Sequence, residues 1–229
     1  MTGANDGTDP AFDLAEVDRL LATTRAMRRR LDLGRPVDPA LVRECIALAN
    51  YAPNASNAQE WHWVVVTDPE VRRKAGELYR AILEPLVSTM LGNKLAAGDE
   101  AGARISRSIL YLCEHMGEVP VLVFPCYDLA AATQRYGMVL SAEHAPSAMR
   151  SDQYASIYPS VWSFQLALRS RGLGSVMTTA HQLDQPAMAD VLGIPPTWDQ
   201  TCLIPVAHLT PGAVRPAPRR PVDETIVWR

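Results

Sequence analysis

The order of elements along the chain predicts one α+β domain built around a small central sheet. Three observations lead there. Segments of helical period crowd the first half and β-branched runs the second, without the regular alternation of a βαβ protein. No internal repeat or linker divides the 229 residues. With 48% of them hydrophobic, the chain can bury a substantial core. The polar start predicts a disordered tail over residues 1–12, leaving 13–229 as the single domain.

Leu14, Val17, Leu20 and Leu21 recur at helical spacing, so Asp13 to about Thr24 reads as an amphipathic helix. Asp38 is an N-cap and Pro39 a first helical residue for a second helix, with Leu41, Cys45 and Leu48 as its apolar face. His62 to Thr67 is short and β-branched, a buried strand, and Asp68-Pro69 opens a third helix reaching Glu84. Further helices are predicted over Ala101–Met116, Ser160–Arg171 and Pro186–Leu192, the last two stopped by Gly172 and Gly193. Strands are predicted over Val119–Cys126, Ser175–Thr179 and Thr201–His208. Ser141–Gln153 reads as a long, polar, irregular segment of the kind that forms a lid, followed by Tyr154, Tyr158 and Trp162; the first two offer an aromatic wall, and Trp162 reads as core.

Composition removes several classes of function. The formal net charge is -3, so no global basic field draws in nucleic acid. No apolar run approaches the roughly 20 residues of a membrane span. The first residues lack the basic and apolar blocks of a signal peptide, which predicts a cytoplasmic protein. Cys45, Cys113, Cys126 and Cys202 lie far apart in apolar surroundings and read as buried free thiols. The five histidines form no metal-binding pair and no serine sits in a nucleophile elbow. His181, beside Thr178-Thr179, reads as a polar cap at a strand end.

Three segments stand out. Arginine supplies 20 of the 22 basic residues, and five of them fall within Arg25–Arg35 beside the single acid Asp32. They either complement the negative end of the first helix or clamp a phosphate with Arg25 and Arg28, and Arg215, Arg219 and Arg220 form a second basic group near the other end. The loop from Ala52 to Trp61 sets amide and hydroxyl donors between apolar walls, as turn chemistry or a flat heterocycle would require. Gly172-Leu173-Gly174 begins like a dinucleotide fingerprint, but Met177 replaces the third glycine and a helix precedes it, so the Rossmann reading fails.

Together, Arg25-Ala26-Met27-Arg28, the Ala-Pro-x-x-x-Asn-x-Gln-x-Trp loop ending at Trp61, Gly172-Leu173-Gly174 with Thr178-Thr179 downstream, and Arg219 resemble the FMN-dependent nitroreductase family from about Leu14 to Trp228. The resemblance implies an interlocked homodimer with FMN at the subunit interface. It also implies a ping-pong cycle in which NADH or NADPH reduces the flavin and a small-molecule acceptor, a nitroaromatic or quinone, takes the hydride. Carried over by residue, it places Arg25, Ala26, Met27, Arg28 and Arg219 at the phosphate and ribityl chain. Pro53, Asn54, Ala55 and Asn57 fall in the loop laid along the partner's flavin, and Met177, Thr178 and Thr179 at the ring edge. It assigns no catalytic side chain and no metal. The sequence departs from the family pattern at Thr24 and Ala26, where arginine and serine are usual, and at Asn54 and Glu60, where serine and proline are. A non-catalytic flavin-binding protein on the same scaffold is the alternative.

Overall fold

A computed structural model gives the fold over residues 12–138 and 145–229, which are the residues described here. Seven helices and five strands are present among them: α1 (Leu14–Thr23), α2 (Pro39–Ala49), β1 (Trp61–Val66), α3 (Pro69–Ala96), α4 (Glu100–His115), β2 (Val121–Asp128), α5 (Leu129–Gly137), α6 (Ala145–Ser170), β3 (Leu173–Ser175), α7 (Gln185–Leu192), β4 (Trp198–Gln200) and β5 (Ile204–His208). The expected tail lies outside the described residues except for Phe12. Aspartate starts six of the helices. Asp13, Asp38, Asp68, Asp99, Asp128 and Asp184 each accept a backbone N–H of the following turn, satisfying a donor the helix leaves free.

The sheet is antiparallel in the order β1-β2-β5-β3, with β4 also paired to β2. Along β2, Val121, Val123 and Tyr127 face one side and Leu122, Phe124 and Cys126 the other, and all are buried. The first set packs with Val42, Cys45 and Ala49 of α2 and Ile157, Val161, Phe164 and Leu168 of α6. The second packs with Ala75 and Tyr79 of α3, Leu112 and Cys113 of α4, and Met188 of α7. The sheet is therefore the middle of three layers.

Several expected boundaries move, each for a physical reason. The strand expected over Thr201–His208 starts only at Ile204, as β5; β4 (Trp198–Gln200), which was not expected, precedes it, and the gap between the two falls opposite Pro125. Thr201 N–H donates to the Pro125 carbonyl at 3.0 Å, and the N–H that Pro125 lacks belongs on this same side of β2, so the ladder cannot run through. The strand expected over Ser175–Thr179 is β3, ending at Ser175, with Thr178 making an isolated bridge to Leu203. The helix from Asp68 does not stop at Glu84. It runs through Pro85 to Ala96, because buried Val87 and half-buried Leu83 and Leu91 continue the inward stripe at four-residue spacing. On α2 the buried face is Val42, Cys45 and Ala49, and Leu48 is exposed.

The largest correction concerns α6. Residues 145–153, expected to be irregular, are its first turns, whereas 139–144 lie outside the described residues. Helical period is present here, but Gln153, Ser156, Ser160 and Gln165 share the buried face with Ile157, Val161, Phe164 and Leu168. Hydrophobicity alone hides it. Trp162 points outward, 41% exposed, contrary to the core role expected of it. Helix α5, which was not expected, is announced by its Asp128 cap. All four cysteines are buried and free, as expected.

Candidate functional site

Beyond α1 the chain turns along the sheet, fastened by backbone bonds. Met27 N–H donates to the Ser175 carbonyl at 2.9 Å, Asp32 N–H to His208 at 2.8 Å, and Thr210 N–H to Arg30 at 2.9 Å. Met27 and Leu31, four residues apart, are buried. The intervening arginines are thereby held at the surface, where Arg25 to Arg30, Ser108 of α4, Ala213, Val214 and Arg215 line a cavity of about 350 Å³. Ala26 is an exposed part of this wall, and Met27 acts through its backbone as an anchor.

The cations at this cavity have neutral partners. Arg25 donates to the Arg215 carbonyl at 3.1 Å, and Arg30 to the carbonyls of Ala213 and Gly212 at 3.0 and 2.7 Å. Arg29 sits over the Tyr111 ring at 5.7 Å. Burial lowers the pKa of the Arg28 guanidinium from its usual value. Among the described residues no carboxylate pairs with Arg25, Arg28, Arg29, Arg30 or Arg215. Such a cluster in a chain of negative net charge fits an anion, and a phosphate monoester suits guanidinium geometry. Arg219 stands apart: it is exposed on the C-terminal arm and donates to the adjacent Pro218 carbonyl at 2.9 Å.

A second connection reaches the segment expected at the ring edge. Tyr79, buried in α3, lies within electrostatic reach of Arg28 and shares a 2.9 Å hydrogen bond with Thr178 Oγ1. Burial pushes the Tyr79 phenol up to about 12, so it stays neutral. Thr178 is fixed by two backbone bonds with Leu203, at 3.0 and 2.8 Å. Strand-like alternation then turns Met177 and Thr179 outward. The segments Arg25–Arg28 and Met177–Thr179 are thus linked, through the Met27–Ser175 bond and the buried Tyr79. Ser108 and Arg215 complete the wall of the arginine cavity, and sequence reading did not single out Tyr79 or Ser108 because only the tertiary fold brings them there.

The loop Pro53–Asn57 is elsewhere. No hydrogen bond or ion pair among the described residues joins it to either segment. It contains a single 3-10 turn (Ala55–Asn57), and Ser56, Asn57 and Gln59 take positive φ of 54°, 50° and 53°. Asn54 Oδ1 accepts Gln59 N–H at 2.9 Å, and Ser156 Oγ of α6 accepts Ala55 N–H at 3.1 Å.

His181, read as a polar cap at a strand end, is fully buried, edge-on to Phe124, at the end of β4. Its Nε2 donates to the Gln200 carbonyl at 3.1 Å, and burial lowers its pKa to about 4, so it is neutral. Nearby, Leu129, Thr133, Met149, Arg150, Tyr154 and Gln182 are among the residues lining a cavity of about 750 Å³ between α5, α6 and the segment preceding α7. No metal-binding cluster occurs among the described residues, and no described helix is long and apolar enough to cross a membrane.

The chain is similar to several known proteins. An iodotyrosine deiodinase of Drosophila melanogaster is 26% identical over 181 residues, 78% of this chain and 58% of that protein, so this chain spans under two thirds of that relative. A 5,6-dimethylbenzimidazole synthase of Rhodobacter capsulatus is 25% identical over 182 residues, 78% of this chain and 79% of that one. The FMN- and NADPH-dependent nitroreductase NfnB of Sphigopyxis sp. strain HMH superposes with a TM-score of 0.62 at 21% identity, over 93% of this chain and 98% of its own, a likeness of fold. The sequence pattern of the Nitroreductase family matches residues 22–208, which include Arg25–Arg30 and Met177–Thr179 but not Arg215 or Arg219, and the chain belongs to that family.

Proposed function

We propose that this protein is an FMN-dependent oxidoreductase that takes electrons from NADH or NADPH and passes them to an electron-poor small molecule such as a nitroaromatic or a quinone. The carrying observation is the cluster of arginines without carboxylates, joined through Met27–Ser175 and Tyr79–Thr178 to the exposed edge of Met177–Thr179. In this reading Arg25 and Arg28, with Arg215 and the arm residue Arg219, hold the phosphate by charge-assisted bonds, Ala26 supplies backbone, and Met27 anchors the segment to Ser175. Met177 and Thr179 turn toward the ring edge, and Thr178, whose own N–H and hydroxyl are taken by Leu203 and Tyr79, holds them there. Pro53, Asn54, Ala55 and Asn57 serve the flavin of the opposite subunit, which makes the homodimer the working unit. When bound, FMN supplies the hydride chemistry. The chain binds and orients the group, and its fixed ring-edge donors favour added negative charge there.

The cavity of about 750 Å³ walled by Leu129, Met149, Tyr154 and Gln182 is large enough for a flat acceptor. The deiodinase relative favours a second reading, reductive removal of halide from a halophenol. Anaerobic addition of NADH or NADPH to the FMN-loaded protein tests the proposal: repeated bleaching and recovery of the flavin bands with a nitroaromatic or quinone supports it. Recovery only with a halophenol, with halide released, selects the second reading. A flavin that stays yellow with either nicotinamide marks a protein that binds FMN without turning it over.

A further inference from the structure

The loop 54–59 holds three non-glycine residues at positive φ, two of them the intolerant Ser56 and Gln59. Each such conformation is costly for a residue with a Cβ and persists only where its surroundings over-determine it. The surroundings here begin at the loop's exit. Glu60 carries the chain into β1, its carbonyl accepting Asp128 N–H at 2.9 Å, and its side chain turns inward with 9% exposed. There Arg135 of α5 grips both carboxylate oxygens, at 2.8 and 2.7 Å, and Tyr127 of β2 donates its hydroxyl at 2.8 Å. The same guanidinium reaches Asp152 of α6 at 2.7 Å and lies over the Tyr136 ring at 4.5 Å. One turn further along α6, Ser156 accepts the Ala55 N–H at the loop's other end.

A charged triad withdrawn from water is a poor source of stability, because desolvation consumes most of the attraction and apolar side chains of the same volume would pack as well. What it supplies is direction: a bidentate fork fixes angle as well as distance. We propose that Glu60, Arg135 and Asp152 are positioning residues that hold the strained loop in the geometry it presents to the cofactor and lock it to α5 and α6. The inference rests on the reading above, that this loop lies along a flavin, and concerns residues the family pattern does not supply, since proline is usual where Glu60 stands.

The test uses the FMN-loaded protein and three variants, Glu60→Gln, Arg135→Lys and Arg135→Met. Three quantities are followed: backbone hydrogen exchange over residues 54–60, the rate of FMN release seen as recovered flavin fluorescence, and the thermal midpoint. Exchange over 54–60 and FMN release are expected to rise about tenfold or more in Glu60→Gln and Arg135→Met, with β2 and α4 as protected as in the parent. Arg135→Lys, which keeps the charge and loses the fork, is expected to fall between the parent and Arg135→Met. Unchanged exchange and release in every variant would overturn the inference. So would protection lost evenly across the molecule in step with the midpoint, which would mark the triad as ordinary structural support. A parent that retains no FMN would defeat the functional reading, and loop exchange alone would then decide whether the triad holds the loop.

Discussion

At the scale of single residues, the site divides into groups that meet a ligand and groups that set the terms. Arg28 is the plainest of the first kind, half-buried and without a carboxylate, so its charge is costly until an anion arrives. Arg28→Ala should remove a charge-assisted bond of about 1.5–3 kcal/mol, weakening FMN retention roughly ten- to hundredfold in equilibrium dialysis. Arg215→Ala, at the same cavity, should weaken it more than Arg219→Ala if the phosphate is held within one chain; the reverse order would place the arm of a second chain over the site. His181 is of the second kind. Its native pKa near 4 lies below the ordinary value of 6.5 because burial disfavours the cation. The unfolded chain therefore takes up a proton that the folded chain refuses, so stability is fully present above about pH 6.5 and falls as pH drops toward 4, by about 3 kcal/mol in all. Thermal melts between pH 4 and 7 should show a steeper acid loss in the parent than in His181→Gln, and parallel curves would assign that loss to other groups.

At the scale of elements, what could be read in advance was whatever a local pattern specifies. Asp38-Pro39 and Asp68-Pro69 announce helix starts wherever they occur, Gly193 at φ 65° closes α7 as a left-handed cap, and Trp61–Val66 carries its β-branched signal alone. The arginine segment stood out for the same reason, as a short stretch of unusual composition, whereas Thr178-Thr179 stood out only through the family resemblance. Helix α6 was illegible along its first half because Gln153, Ser156 and Ser160 are buried as partners of Asp199, Ala55 and Ala49, which no periodicity of apolar residues can reveal. Glu60 was visible as a departure from a pattern, but Arg135, 75 residues away, could not be paired with it from sequence. Tertiary contact also explains Gly76 in α3. A Cβ there would meet the Gly117 backbone nitrogen at 2.4 Å and its Cα at 2.7 Å, so the helix can approach the turn after α4 only without one. Gly76→Ala should destabilise the fold by about 1–3 kcal/mol in urea unfolding at unchanged m-value. An unaffected midpoint would mean that the turn gives way at little cost.

At the scale of the whole molecule, the single chain leaves the proposed site in two parts. The arginine surface with Met177–Thr179 is one, the clamped loop Pro53–Asn57 is another, and no bond between them occurs among the described residues. The chain also exposes apolar groups that a solitary protein would cover. Val222, Ile226, Val227 and Trp228 on the C-terminal arm are open, Trp228 at 87%, and so are Tyr154 and Trp162 of α6. Scattered apolar residues need no explanation, but an arm that carries four within seven positions has little reason to hold its place on its own subunit. A second copy would resolve both features, its arm covering apolar surface and its loop completing the site. Deleting Val222–Arg229 should then shift the protein from dimer to monomer in light scattering and release FMN to the same degree, because one contact supports both. Arg219 and Arg220 remain in that deletion, so loss of flavin could not be blamed on the removal of either arginine. A truncated dimer that keeps its FMN would confine the arm to a surface role, and a truncated monomer that keeps it would show that one chain builds the whole site, with the loop serving its own flavin or none.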